Sequence, residues 1–155
     1  MKGATNVDQA RCRRQYRHQM GCAGGRYHDA LTVLDRYLVS APDLLIAECA
    51  NALWKKVARQ QISPAYSDVA VTLLQQARIE LVPTRPLLRI ATQLSVTLGH
   101  PAYDCFYLAL AEANDWLFVT ADERFIAKLK GADAVRFGNR LLSLSEAAAL
   151  SGPAR

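Results

Sequence analysis

The stretch of the sequence that most restricts the fold runs from Ala102 to Ala113 and reads AYDCFYLALAEA. At helical spacing its side chains are apolar or aromatic on every side, except at Asp104 and Glu112. A helix that is apolar all round belongs in a protein interior. With 155 residues, 51% of them hydrophobic, the chain is long enough to bury such a helix in one domain. We therefore predict a single domain with this helix in its core.

From residue 28 onward, the sequence alternates between helical and strand patterns. Helical spacing predicts helices over residues 28–38, 41–61, 64–77, 85–99, 102–113, 122–130 and 143–150. Short apolar runs predict strands over residues 79–83, 116–120 and 134–138. Residues that favour helix ends fit these bounds: Pro42, Asp43, Ser63, Pro64 and Gly99, with Ser145 near the cap of the last helix. Strands that alternate with helices indicate an α/β domain with a mainly parallel sheet.

Residues 1–27 do not follow this pattern and form an aberrant basic segment. Their sequence CRRQYRHQMGCAGG has neither helical nor strand periodicity. Residues 1–28 contain six Lys and Arg residues and one Asp, so they carry the whole net charge of +5. The net charge therefore does not indicate nucleic-acid binding by the rest of the chain. We expect residues 1–27 to be poorly ordered and residues 28–155 to form the domain.

Composition excludes several classes of protein. The longest apolar runs are far shorter than the roughly eighteen residues that a membrane-spanning helix needs, so no membrane association is expected. The N-terminus has no apolar stretch of the kind found in secretory signals. The four cysteines form no CxxC pair and have no His at zinc-ligand spacing, which favours a cytoplasmic protein with reduced thiols.

Three carboxylates remain to be explained, and each has a structural interpretation. Asp104 would lie in the first turn of its helix, where the helix dipole favours a negative charge. Asp122 follows a predicted strand and could cap the next helix, whereas Glu48 could lie on a solvated helix face. However, the carboxyl end of a parallel strand is also where open α/β sheets place their functional sites. Several carboxylates at one place repel each other unless a cation lies between them, and oxygen ligands favour Mg²⁺ or Mn²⁺.

Three segments, APDLLIAECANALWKK, PAYDCFYLALAEA and LFVTADERF, resemble in order the C-terminal motifs of PIN-domain ribonucleases. The resemblance is specifically to VapC-type toxins of type II toxin–antitoxin pairs, and it covers residues 29–150. It implies a PIN-like three-layer α/β/α sandwich around a mainly parallel sheet. It also implies an acidic Mg²⁺ site that hydrolyses RNA, a homodimer, and an antitoxin that threads into the active-site groove.

Carried over by position, the resemblance assigns the family's acidic residues to this chain. Glu48 matches the second acid, Asp104 the third and Asp122 the fourth, and all three are implied catalytic residues and metal ligands. Thr120 matches the hydroxyl residue that often accompanies the last acid. Asp115 is a weaker candidate ligand, which we expect at a turn before the strand.

The chain departs from the family at its beginning. Such proteins begin with a central strand that ends in an Asp, in a pattern like V-D-A-S, and no apolar strand precedes residue 28 here. Asp8, in TNVDQARC, is a weak candidate for this first acid. A nuclease whose metal site lacks the first carboxylate is expected to be weak or inactive. Two alternatives stay open: a catalytically dead PIN fold that binds an antitoxin or RNA, and an unrelated α/β protein whose three acids are helix caps.

A shift of reading frame would account for the missing strand. We predict that residues from about Asn6 to Gly25 are the family's first strand read in the wrong frame. With suitable synonymous codons for residues 12–24, a start one base later reads V-D-A-S-T-A-I-K-W-V-V-Q-E. The motif-like pattern resumes by about His28, so a compensating shift near residues 25–27, or a start codon overlapping Asn6 and Val7, is required. The coding DNA tests this directly.

Overall fold

The computed structural model describes residues 24–132 and 134–150. In chain order the elements in these ranges are α1 (Gly24–Arg36), β1 (Val39–Pro42), α2 (Leu45–Ala58), α3 (Pro64–Gln76), β2 (Ile79–Val82), a 3₁₀ turn (Arg85–Leu87), α4 (Leu88–Leu98), α5 (Ala102–Asn114), β3 (Phe118–Thr120), α6 (Glu123–Ala132), α7 (Ala134–Phe137), β4 (Leu141–Ser143) and α8 (Leu144–Ala149). No helix among the described residues is long and apolar enough to cross a membrane.

The strands of the described residues form two separate parallel pairs. β1 pairs with β2, and β3 pairs with β4. The connections contain α2 and α3 in the first pair and α6 and α7 in the second, because parallel strands need a long crossover. The predicted α/β class with parallel strands is therefore confirmed.

The helix α5 lies in the core, as its all-round apolar sequence predicts. It packs most extensively against α4 and also contacts β1 and β3. Its buried residues are Cys105, Leu108, Ala109, Leu110 and Ala111. Phe118 of β3, Phe125 of α6 and Leu141 of β4 belong to the same apolar cluster. One core therefore joins both strand pairs to α5.

Two helix ends behave as their sequences predict. Ser63 precedes Pro64 at the start of α3, and its hydroxyl accepts a hydrogen bond from the Tyr66 N–H at 3.2 Å. Gly99 ends α4 in the left-handed conformation, with φ of 55°, which glycine adopts without a steric penalty. Lys128 reaches this turn from α6 and donates to the Gly99 carbonyl at 2.8 Å.

Two predictions about strands are wrong. Residues 39–42, for which the sequence pattern predicts no strand, form β1, and Pro42 ends this strand instead of beginning α2. A four-residue strand is too short to show a period of two, and its sequence VSAP contains a residue that is rare in central strands. The predicted strand over residues 134–138 contains the helix α7, and the last strand is β4. Short apolar runs do not distinguish a strand from a buried helical turn.

The cap of the last helix is also misplaced by two residues in the sequence-based prediction. Ser143, not Ser145, caps α8: its hydroxyl accepts from the Glu146 N–H, while the Glu146 carboxylate accepts from the Ser143 N–H. This reciprocal arrangement is a capping box. The two hydrogen bonds from Ser143 hold the pKa of Glu146 below its usual range.

Residues 1–23 lie outside the described part of the chain. Asp8 and most of the segment with the predicted shift of frame fall there, so the hypotheses about them stay predictions. The helix α1 begins at Gly24, which puts the predicted domain boundary after residue 27 inside a helix. Arg36, at the end of α1, donates to the carbonyls of Ala148 and Leu150, so α1 packs against the last helix.

Replacing Ser143 tests the position of this cap. We expect Ser143→Ala to lower the free energy of unfolding by about 1 kcal/mol, because it leaves the Glu146 N–H without its side-chain acceptor. Ser145→Ala is the control: its hydroxyl lies 3.1 Å from Ser143 Oγ but caps no N–H group, so the change should cost less than about 0.5 kcal/mol. Urea denaturation followed by circular dichroism measures both. Equal losses in the two variants would contradict the assignment.

Candidate active site

Glu48 is held by a tyrosine of the core helix. It lies in the first turn of α2, which begins just after β1 ends. The Tyr107 hydroxyl, on α5, donates a hydrogen bond of 2.5 Å to Glu48 Oε2. Burial raises the pKa of Tyr107, and the negative charge of Glu48 raises it further. The phenol therefore stays protonated and keeps donating at any ordinary pH.

Asp104 lies one helical turn before Tyr107 and contacts a histidine. Nε2 of His100 is 3.0 Å from Asp104 Oδ2, within hydrogen-bonding distance. The His100 side chain is 16% exposed and the Asp104 side chain 48% exposed, so the carboxylate is open to solvent while the ring is mostly covered. The ring stacks on Phe125 of α6 with centroids 3.9 Å apart. The imidazole is therefore fixed between the carboxylate and the core.

Asp122 caps the helix that follows β3. Its Oδ1 accepts hydrogen bonds from the N–H groups of Arg124 and Phe125 at 2.9 and 3.0 Å. Its own N–H donates to Thr120 Oγ1 at 3.1 Å, so Thr120 shapes the turn between strand and helix. The structural interpretation of Asp122 as a cap is therefore confirmed. A cap at the carboxyl end of a strand is also compatible with a ligand role, since both bonds fall on one oxygen.

A continuous chain of contacts links the three carboxylates. Glu48 bonds Tyr107, which shares the first two turns of α5 with Asp104. His100 joins Asp104 to Phe125, and Asp122 accepts from the N–H of Phe125. The N-terminal half of α5 is therefore next to the carboxyl ends of both β1 and β3, the edge where α/β sheets place their sites.

Asp115 lies elsewhere. It ends α5 in the left-handed conformation, with φ of 59°, so its predicted place at a turn before β3 is confirmed. Its carboxylate pairs with Arg140. Since α5 rises about 1.5 Å per residue, Asp115 is about 16 Å along the helix axis from Asp104. The structure does not bring it to the other carboxylates.

The sequence model of the PIN-domain family matches residues 25–131 of this chain. The chain belongs to the PIN-domain family. It is also similar to Exonuclease VapC9 of Pyrobaculum aerophilum, with 33% identity over 91 residues. That alignment covers 57% of this chain and 65% of the relative, a little less than two thirds of its length. The predicted resemblance to VapC-type PIN domains and the predicted PIN-like fold class are both confirmed.

The described residues of this PIN domain supply the right ligand chemistry but do not complete a metal site. Glu48, Asp104 and Asp122 offer carboxylate oxygens, which Mg²⁺ and Mn²⁺ prefer. Yet in residues 24–132 and 134–150 no group of three or more His, Cys, Asp or Glu side chains is close enough to hold a metal ion. The predicted assignment of these three residues as metal ligands and catalytic groups therefore stays a prediction.

Sequence reasoning did not single out the two residues that hold the carboxylates. Tyr107 follows Asp104 by three positions, and His100 precedes it by four. Side chains at these spacings are neighbours on a helix. That spacing was the available signal. Asp43, a further carboxylate at the end of β1, has a structural role: its Oδ1 accepts from the Thr84 N–H at 3.1 Å and ties β1 to the segment after β2.

The two cysteines near the site, Cys49 and Cys105, both have a raised thiol pKa. Cys105 is wholly buried in α5, and burial together with the charge of Asp104 raises the pKa of its thiol. Cys49 is half-buried beside Glu48, and burial followed by that charge raises its pKa as well. A raised pKa keeps a thiol protonated and unreactive. Cys105 thus serves as a small apolar side chain of the core.

The contact between Tyr107 and Glu48 predicts the alkaline behaviour of the protein. The pKa of Tyr107 is raised in the folded state, so its contribution to stability is complete below about pH 10, the pKa of a free tyrosine. It should decline as the pH rises above about 10, where only the unfolded state loses the proton. We therefore expect the stability difference between wild type and Tyr107→Phe to shrink above that pH. Tyr103→Phe, which alters an exposed tyrosine, is the control, and chemical denaturation at a series of pH values is the measurement.

Proposed function

We propose that this PIN domain is the ribonuclease toxin of a type II toxin–antitoxin pair and hydrolyses RNA phosphodiester bonds with Mg²⁺ or Mn²⁺. The observation that carries the proposal is the chain of contacts from Glu48 through Tyr107, Asp104 and His100 to the turn at Asp122. A PIN-domain relative named as an exonuclease supports a nuclease activity.

Each residue has a proposed role in this chemistry. Glu48, Asp104 and Asp122 are the proposed metal ligands, with Thr120 as a supporting residue at the same turn. A divalent cation would supply charge stabilisation at the scissile phosphate. Tyr107 positions Glu48, and His100 positions Asp104, so these two are positioning residues and not catalytic ones. Asp8 and Asp115 are lower-ranked ligand candidates.

The second proposed function is a catalytically dead PIN fold that binds an antitoxin or RNA. The specific observation in its favour is that the described residues contain no group of three possible metal ligands. Mg²⁺ depends on a few well-placed carboxylates, and this chain lacks a recognisable first one. We propose that the protein with this N-terminal sequence cleaves RNA weakly or not at all.

The proposed partners are an antitoxin and a second copy of the chain, in the cytoplasm. Neither α2 nor α3 buries a residue fully, and both expose apolar side chains. Ile46 and Trp54 of α2 are 59% and 64% exposed. Large exposed apolar groups in one region favour a protein–protein interface.

A cleavage assay distinguishes the two functions. We expect slow RNA cleavage that depends on Mg²⁺ or Mn²⁺ and is lost in Glu48→Gln and Asp104→Asn, because each change removes one proposed ligand charge while keeping the shape. Asp68→Asn, an exposed carboxylate on α3, is the matched control and should cleave like the wild type. Fluorescent RNA of mixed sequence with and without EDTA is the substrate.

The outcomes of this assay are separable. Cleavage that survives both site variants would indicate a contaminating nuclease and contradict the proposed site. No cleavage by folded wild-type protein, together with RNA or antitoxin binding, would favour the dead fold. Fast metal-dependent cleavage by the wild-type protein would contradict the proposed low nuclease activity. Asp8 would then be the first residue to replace.

The proposed homodimer is tested by its mass in solution. Trp54→Lys puts a charge into the exposed apolar surface of α2, so we expect it to shift the protein towards the 17.1 kDa monomer. Val96→Lys changes an apolar residue on α4 that is even more exposed, at 79%, and should leave the mass unchanged. Light scattering after size-exclusion chromatography measures both. A wild-type monomer at all concentrations would contradict the dimer.

A further inference from the structure

Tyr103 is an exposed aromatic residue at the start of the core helix. It lies in the first turn of α5 and is 67% exposed. The hydroxyl of Tyr107 donates to Glu48, and that of another tyrosine, Tyr37, donates to a carbonyl of α8. By contrast, no hydrogen bond, ion pair or ring contact joins Tyr103 to any residue in the described part of the chain. Its ring is therefore available to a ligand.

Helix geometry places Tyr103 on the side of α5 that faces Glu48. Tyr103 and Tyr107 are four positions apart, so their side chains lie on one face of the helix. On that face Tyr107 reaches Glu48 Oε2. At a rise of about 1.5 Å per residue, Tyr103 is about 6 Å nearer the start of the helix. The adjacent Asp104 side chain is 48% exposed there, so the ring lies where both carboxylates open to solvent.

Arg124 brings a positive charge to the same end of α5. It lies in the first turn of α6, and its N–H donates to the carboxylate of Asp122. Its side chain is exposed and forms no ion pair with a residue of the ranges 24–132 and 134–150. The next residue, Phe125, stacks on the His100 ring that contacts Asp104. Arg124 therefore lies beside the carboxylates, and its guanidinium is within reach of an anion that approaches them.

An aromatic ring and an arginine beside carboxylates suit an unpaired nucleotide. Bases stack on tyrosine rings, and a base must be free of a duplex to do so. Carboxylates repel the phosphate backbone, whereas a guanidinium binds phosphate oxygens through charged hydrogen bonds. The base and the backbone of one RNA strand would thus contact different residues at this end of α5.

We propose that Tyr103 binds RNA by stacking on the unpaired base next to the scissile phosphate, while Arg124 contacts the backbone. Tyr103 is then a substrate-binding residue that selects unpaired nucleotides, and it neither holds the metal nor moves a proton. The proposal rests on the proposed function for the identity of the ligand, because it takes RNA as the substrate. It does not depend on cleavage, since stacking requires no metal.

RNA binding by the full chain tests the stacking. Fluorescence anisotropy of an unstructured RNA oligonucleotide, in Ca²⁺ and again in EDTA, gives a Kd for each variant. We expect Tyr103→Leu to raise the Kd about fivefold or more, because it removes the ring on which one base stacks. Tyr103→Phe keeps the ring and should bind like the wild type. Trp116→Leu removes a 41% exposed ring at the other end of α5 and is the matched control. Equal effects of Tyr103→Leu and Trp116→Leu would overturn the proposal.

Duplex RNA of the same sequence separates stacking from attraction by charge. Its bases are paired, so Tyr103→Leu should leave its Kd unchanged. Arg124→Gln should weaken binding of both RNAs and reduce the dependence of the Kd on salt, because it removes a phosphate contact. Equal loss of duplex and single-stranded binding in Tyr103→Leu would overturn the stacking. Circular dichroism checks that each variant is folded.

Photochemical crosslinking locates the stacked base. RNA that contains iodouridine should crosslink to Tyr103 of the wild-type protein, and mass spectrometry of the RNA-linked peptide identifies the residue. A crosslink confined to Trp54 or Trp116 would overturn the placement of the base, even if Tyr103→Leu weakened binding.

The outcomes separate this proposal from the proposed function. Binding that depends on Tyr103, without any cleavage, would support the stacking and contradict the nuclease. Metal-dependent cleavage with the Kd unchanged in Tyr103→Leu would contradict the stacking and leave the nuclease standing. Failure of the folded wild-type protein to bind RNA would contradict both.

Discussion

The burial of α5 is the constraint on which the rest of the structure depends. Its buried residues, Cys105 and Leu108 to Ala111, pack in one core with α4, β1, β3 and side chains of α6. Since α5 contacts both β1 and β3, one helix supplies apolar surface to both strand pairs. Only the two ends of such a helix can carry polar groups. That is why the candidate carboxylates are found in its first turn and at the starts of the neighbouring helices α2 and α6.

The candidate site at the N-terminal end of α5 is stabilised by contacts that differ in kind. Tyr107 reaches Glu48 with a neutral donor, so a carboxylate is oriented without an opposing charge. His100 contacts Asp104 while its ring is packed on Phe125, which fixes the imidazole by apolar contact. Asp122 is oriented by backbone N–H groups at a helix start. The three carboxylates are thus held by a phenol, an imidazole and backbone N–H groups, and the side chain of Asp104 is still 48% exposed.

Much of this arrangement is predictable from sequence, but only where a pattern is long enough to have a period. The helices α3, α4 and α5 follow from apolar spacing and from Ser63 and Gly99 at their ends. The strand β1 does not, because four residues cannot display a period and Pro42 argues against a strand. The contact of Tyr107 with Glu48 joins residues that are 59 positions apart, so it depends on packing that local sequence does not encode. The three acids are predictable from the family motifs, whereas their holding residues are not.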